Sequence, residues 1–279
     1  MIDQEHSLEI YIPKSLIGIV DVIVQHQSSN SANLLCLPNA KVEVFFFLEG
    51  SKLDHFYINS SVSNFLPNDS NNFAVAFSSQ THPIKAKFKK LNAISAVMNP
   101  IAAKAIMDTP AWTIKDLHME PTMFKSLNQI QDSLNTLPTF KQRALFIEKF
   151  IYKRLLESKY LNETLEKIKS LDTLYADINS LFHETQLNFS RYHYSRSHFN
   201  RICKDWLGVS YNEYLIHKKF RKAMYIISHS NKSLTEIAYE LDFYDQAHFT
   251  RIFKRFAGIN PSAYRKSNKG VVPEMILLK

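Results

Sequence analysis

Residues 197–215 read SHFNRICKDWLGVSYNEYL, and residues 247–265 read AHFTRIFKRFAGINPSAYR. The two segments align without a gap at an offset of 50, and seven of the 19 positions are identical. The identities are His198/His248, Phe199/Phe249, Arg201/Arg251, Ile202/Ile252, Lys204/Lys254, Gly208/Gly258 and Tyr214/Tyr264. Such a repeat marks one structural unit used twice. Phe199, Ile202, Cys203, Trp206 and Leu207 in one copy, and Phe249, Ile252, Phe253, Phe256 and Ala257 in the other, follow the stripe of a helix with one buried face. Asn200, Arg201 and Lys204, or Thr250, Arg251, Lys254 and Arg255, fall on the other face. A glycine follows each stripe, where a helix C-terminus calls for a left-handed residue. The chain has only five glycines, which makes the matched pair informative.

The flanks extend the unit. Ser233-Leu-Thr-Glu236 has the form of a capping box and opens a helix with Ile237, Ala238 and Leu241 on one side. Asp242-Phe-Tyr244 ends it, and the next helix begins near Asp245. A short helix, a tight turn and a basic helix make a helix-turn-helix. Ser210-Tyr-Asn-Glu213 is a second capping box. It opens a longer helix to about Ser228 that separates the two units.

The segment resembles the AraC/XylS family of bacterial transcription regulators. The resemblance covers about residues 180–267 and is most specific in SLTEIAYELDFYDQAHFTRIFKRFAGINPSAYR. It implies two helix-turn-helix units joined by a linker helix at 211–228. In the first unit, Leu187-Asn-Phe-Ser-Arg-Tyr-His-Tyr194 stands in for the scaffold helix. Phe189 and His193 replace the family's alanine and glycine there, while the reading helix at 195–206 fits. Carried over by motif position, the base-reading residues are Arg196, Ser197, Asn200 and Arg201 in the first helix. In the second they are Gln246, Ala247, His248, Thr250 and Arg251. The chemistry agrees: Arg pairs bidentately with guanine, Gln or Asn with adenine, and Ala or Thr methyls meet the thymine methyl. Lys204, Lys254 and Arg255 are expected at phosphates. His198 and His248 sit beside the apolar stripe, which favours packing or phosphate contact over base contact.

Charge follows the repeat. Residues 191–269 hold 15 Lys/Arg against six Asp/Glu, a net of +9, while residues 1–190 come to −1. The basic excess of the chain therefore lies where a nucleic-acid partner requires it. Cys36 and Cys203 make neither a disulfide framework nor a zinc spacing, and Cys203 falls on the buried stripe. The first residues show no basic stretch followed by an apolar run, and no stretch approaches 18 uncharged apolar residues, so neither export nor a membrane partner is expected and the expected location is the cytoplasm.

Ahead of the repeat, the period is nearer two. Leu8–Ile12, Val20–Gln25, Val42–Leu48, His55–Ile58, Phe73–Phe77, Ile84–Phe88 and Ile94–Val97 are expected strands, separated by turn clusters. Lys85, Lys87 and Lys89 alternate as the wet face of one of them. From Asn99 the pattern becomes helical, at Pro100–Met107, Ile114–Leu117, Pro121–Leu134, Thr139–Lys159 and Glu163–Asp172. The fold class expected is therefore α+β with two domains. A small β-barrel or sandwich is followed by helices, and a C-terminal all-α domain carries two helix-turn-helix units. The order of strands loosely resembles the cupin-like sensor domains that precede AraC-type DNA-binding domains. The division expected is 1–170 for regulation and dimerisation (β-rich 1–98, helical 99–170), 171–270 for DNA binding, and 271–279 as a tail.

His26, His55 and His82 are too far apart in sequence for a cupin metal site. No phosphate loop, nucleophile elbow or paired-carboxylate motif appears either, so no catalytic residue, cofactor or metal is assigned. Phe45, Phe47, Phe56, Tyr57 and Phe77 either line an effector pocket or simply fill a small barrel. The leading function is a sequence-specific transcription regulator that reads two successive major grooves. Its expected partners are double-stranded DNA, a second copy of the chain, a small-molecule effector and RNA polymerase. Two alternatives use the same module: a DNA-repair or DNA-modifying protein, and a non-specific architectural DNA binder.

Overall fold

The structure is a computed structural model that describes residues 6–38, 41–58, 61–62, 73–77, 83–107, 125–166, 195–267 and 275–278. Among the described residues, nine strands form one antiparallel sheet: β1 (His6–Tyr11), β2 (Val20–Ser28), β3 (Ala32–Cys36), β4 (Val42–Phe47), β5 (Lys52–Ile58), β6 (Ser61–Val62), β7 (Phe73–Phe77), β8 (Ile84–Met98) and β9 (Met275–Leu278). β8 organises it. Its C-terminal half pairs with β2 and β4, and its N-terminal half pairs with β3 and β5.

The two short strands expected at 84–88 and 94–97 are therefore one strand of 15 residues. Between them, Lys89, Lys90 and Asn92 read as a break in the apolar pattern, but Asn92 is tied to the turn between β4 and β5. Its N–H donates to Ser51 Oγ at 3.0 Å, and its side-chain amide donates to the Glu49 carbonyl at 3.1 Å. The alternation at Lys85, Lys87 and Lys89 holds, since all three are exposed while Ala86 and Phe88 are buried.

Three helices cover one face of the sheet: α1 (Pro100–Met107), α2 (Lys125–Thr136) and α3 (Phe140–Glu157). Thr139 caps α3 with a full reciprocal box to Gln142. Ile23, Val44, Phe46, Ile94 and Ala96 meet Ala103, Leu134, Ile147 and Ile151 in this core. Glu148 is buried on α3 and accepts from Tyr11 Oη and Ser15 Oγ, each at 2.5 Å. Burial pushes its carboxyl up, but the bonds from Ser15 and Tyr11 outweigh this and leave it below the usual carboxylate range. The opposite face carries the stacked rings of His26, Phe45, Phe47 and Phe88. The side chains of Phe56, Tyr57 and Phe77, and the helix expected at 114–117, lie outside the described residues.

Residues 195–267 form the helices α4 (Arg196–Leu207), α5 (Tyr211–His229), α6 (Leu234–Glu240), α7 (Gln246–Ala257) and α8 (Pro261–Ser267). The scaffold helix expected at Leu187–Tyr194 lies outside the described residues. The second core collects Phe220, Ala223 and Met224 of α5, Ile237 and Ala238 of α6, Phe249, Phe253 and Phe256 of α7, and Tyr264 of α8. Leu37, just after β3, is buried in the same cluster. The segment expected as a plain tail contributes β9, whose Met275 and Leu278 align with Cys36 and Asn33 of β3. A four-residue apolar run carries little periodicity by itself, and pairing across 240 residues leaves no local trace. Among the described residues, no helix is long and apolar enough to cross a membrane.

Candidate nucleic-acid interface

The second unit is built from its caps inward. The Ser233 N–H donates to Glu236 Oε2 at 2.6 Å, and the Glu236 N–H donates to Ser233 Oγ at 3.2 Å, so the expected capping box forms. Bonds from the Ser233 side chain and backbone hold the Glu236 carboxyl below the usual carboxylate range. Scaffold helix α6 ends in a Schellman motif: Phe243 N–H bonds the Ala238 carbonyl, and Asp242 N–H bonds the Tyr239 carbonyl. Asp242 takes the left-handed position at φ 55°. Lys219 Nζ donates to its carbonyl at 2.6 Å.

Asp245 then caps α7, its carboxylate accepting from His248 N at 2.6 Å. Phe249, Phe253 and Phe256 anchor α7, with Phe253 edge-on to Phe220 at 5.1 Å and to Tyr264 at 5.4 Å. This fixes which face looks outward. Gln246, Ala247, Thr250, Arg251, Lys254 and Arg255 line one open groove on that face. His248 lies at its margin, half-buried, edge-on to Phe243 at 5.6 Å.

The first unit has the same frame. Ser195 Oγ accepts from His198 N at 3.2 Å. Gly208 closes α4 at φ 76° and Gly258 closes α7 at φ 71°, each glycine N–H bonding the carbonyl of the repeated lysine, Lys204 or Lys254. Both glycines are therefore required by backbone conformation, as the repeat suggests. Ser197, Arg201 and Lys204 are exposed on α4, Asn200 is half-buried, and Arg196 occupies the first helical position. Cys203 is buried in the apolar stripe, as its position in the repeat suggests, and this burial pushes its thiol up to about 12. Among the described residues, Arg201, Lys204, Arg251, Lys254 and Arg255 take part in no salt bridge. Unpaired cations on two capped helices present donors to an anionic partner with little to displace.

Several important side chains had no signal in the sequence. Lys104 of α1 is 8% exposed and pairs with Asp205 Oδ2 at 2.9 Å. The same ammonium lies 3.9 Å from the Trp206 ring centroid and 5.0 Å from that of Tyr160. Asn200 Oδ1 accepts from Tyr211 N at 3.2 Å, which joins α4 to the start of α5. Thr235 Oγ1 donates to Gln246 Oε1 at 2.6 Å. No cluster of three or more His, Cys, Asp or Glu side chains suited to a metal ion occurs among the described residues.

Residues 190–267 match the sequence family described as a helix-turn-helix domain. No curated protein matches the chain. Among solved structures, the C-terminal domain of the response regulator yesN from Fusobacterium nucleatum is 23% identical; the match covers 33% of this chain and 98% of that one, with a TM-score of 0.29. ToxT from Vibrio cholerae is 11% identical over 96% of this chain and 100% of that one, with a TM-score of 0.47. The AraC-like transcriptional activator CuxR is 10% identical over 93% and 84%, with a TM-score of 0.28. The family match falls on the two capped, basic helices described above, and residues 190–267 of this chain are a helix-turn-helix domain.

Proposed function

We propose that the chain is a sequence-specific transcription regulator whose α4 and α7 enter two successive major grooves on one side of a duplex. The observation that carries this reading is the matched pair of frames. Each helix has a side-chain N-cap, a left-handed glycine end and an exposed Arg at the same register. In this reading Arg196, Ser197, Asn200 and Arg201, with Gln246, Ala247, Thr250 and Arg251, face base edges. Lys204, Lys254 and Arg255 meet phosphates. His248 is better suited to support, because its ring packs on Phe243.

Residues 1–170 would then regulate and residues 171–270 would bind DNA. A second copy, a small effector and RNA polymerase are the further partners proposed, in the cytoplasm. The test is binding of the full chain to a duplex selected from random sequence, competed with unselected duplex. A regulator keeps a large specificity ratio, whereas an architectural binder loses its complex to any duplex. Log K should also fall linearly with log salt, by about 0.9 per neutralised phosphate. Affinity that ignores salt, or a ratio near one, would overturn the proposal.

A further inference from the structure

From the second unit we infer that Thr235 is a specificity-determining positioning residue, which turns Gln246 into a hydrogen-bond donor toward DNA and so sets a preference for guanine over adenine. The inference rests on the reading of α7 as a base-reading helix.

A glutamine selects adenine by using both ends of its amide. The carbonyl accepts from adenine N6, and the NH2 donates to N7. Gln246 is the first residue of α7 and lines the outward groove. Its carbonyl oxygen already accepts from the Thr235 hydroxyl at 2.6 Å. Thr235 sits in the first turn of scaffold helix α6, which is fixed by the Ser233–Glu236 box on one side and the Schellman turn on the other. The hydroxyl is thus held by the frame, and it turns the carbonyl end of the amide toward the protein. The NH2 end remains for the duplex. Guanine presents two acceptors in the major groove, N7 and O6, and no donor, so a donor suits it. Adenine N6 needs an acceptor in the groove, and the Gln246 carbonyl is turned away from it toward Thr235.

The first unit points the same way by a different bond. Asn200 Oδ1 accepts from the backbone N–H of Tyr211. Both side-chain amides among the reading residues therefore have their carbonyls turned inward, and the arginines carry donors only. The hydroxyls of Ser197 and Thr250 are the reading side chains that can still accept.

The experiment is selection of randomised duplex DNA by the full chain, followed by sequencing, for the wild type, Thr235→Val, Thr235→Ala, Thr235→Ser, Gln246→Ala, Arg201→Ala and Arg251→Ala. Gln246→Ala identifies the base pair that Gln246 reads. At that pair the wild type should favour guanine. Thr235→Val and Thr235→Ala should both move the preference toward adenine by about three- to tenfold, the worth of one hydrogen bond. Thr235→Ser keeps the hydroxyl and should keep the wild-type preference. A wild type that favours adenine at that pair, Thr235 variants that leave the preference in place, or a Gln246→Ala variant with unchanged selectivity would each overturn the inference. If Gln246→Ala, Arg201→Ala and Arg251→Ala all leave every base preference unchanged, the base-reading function fails with it.

Discussion

The two copies of the repeated unit share their caps and their exposed arginines, yet neighbouring positions give them different attachments. Residue 205 is Asp in the first copy, and the equivalent residue 255 is Arg in the second. Asp205 is drawn to Lys104 of the N-terminal half, whereas Arg255 stays exposed with its guanidinium 4.5 Å from the Phe256 ring centroid. Residue 211 is Tyr and residue 261 is Pro. The Tyr211 N–H needs an acceptor and takes Asn200 Oδ1, while Pro261 has no N–H to satisfy. Thr250, at the place of Asn200, lines the open groove instead. A sequence repeat thus reproduces the frame of a helix, but single substitutions decide how much of each outward face is committed to the protein. The second unit is also attached to the N-terminal half, through Leu37 and through Pro83, whose Cγ would lie 3.2 Å from a Cβ added at Gly258. Those contacts leave its groove open.

The largest effect expected from breaking this difference is at Lys104. Removing one partner of a buried pair leaves the other charge uncompensated. Asp205 is only half-buried, so Lys104→Ala should destabilise the first unit by about 2 kcal/mol, below the range for fully buried pairs. Loss of the ammonium over Trp206 acts in the same direction. Hydrogen exchange should show faster amide exchange across Arg196–Leu207 and little change across Gln246–Ala257. Equal acceleration in both helices would mean that Lys104 supports the domain as a whole.

The arginines test the symmetry that remains. On a selected site, Arg251→Ala should cost roughly 1–3 kcal/mol and relax preference at one base position. Arg201→Ala should do the same about ten base pairs away, one helical turn along the duplex. Lys254→Ala should weaken all sequences alike. Uniform loss in the two Arg variants, measured on single-base variants of the site, would make both residues phosphate contacts.

A smaller difference is expected between Asn200→Ala and Thr250→Ala. Asn200→Ala leaves the Tyr211 N–H without its acceptor, at a cost of about 1 kcal/mol in stability. Thr250→Ala removes no such bond and should change DNA selectivity more than the melting temperature. Thermal unfolding and duplex selection on the same two variants separate these effects.

How much of this was legible depends on sequence distance. The repeated helices α4 and α7, both glycine ends, the Ser233 cap and the linker helix follow from residues within one or two turns of each other. Periodicity and capping record such contacts directly. The Lys104–Asp205 pair spans 101 residues, and β9 crosses from the C-terminus to β3, so no local pattern encodes them. The Tyr211/Pro261 difference is visible in the aligned repeat. Its consequence for Asn200 emerges only once the start of α5 is seen against α4.

The smallest effect concerns how the second scaffold helix ends. Asp242 holds the left-handed position of the Schellman turn at φ 55°, a conformation that glycine adopts without a Cβ penalty. Two forces act on an Asp242→Gly change. Relief of the left-handed strain favours the variant, by about 1 kcal/mol for a residue with a Cβ. Against this stand the greater chain freedom of glycine in the unfolded state and the loss of the Lys219 contact to Oδ2 at 3.5 Å. That contact is long and its carboxylate is mostly exposed, so it contributes little. The shorter bond from Lys219 Nζ reaches the backbone carbonyl and survives the substitution. Asp242→Gly should therefore raise stability by about 0.5 kcal/mol, a net of these opposing contributions. It should leave base preference unchanged, because residue 242 is not part of the groove on α7. Thermal unfolding beside duplex selection checks both halves. A lower melting temperature would show that the chain freedom of glycine and the lost Lys219 contact together outweigh the relief of left-handed strain.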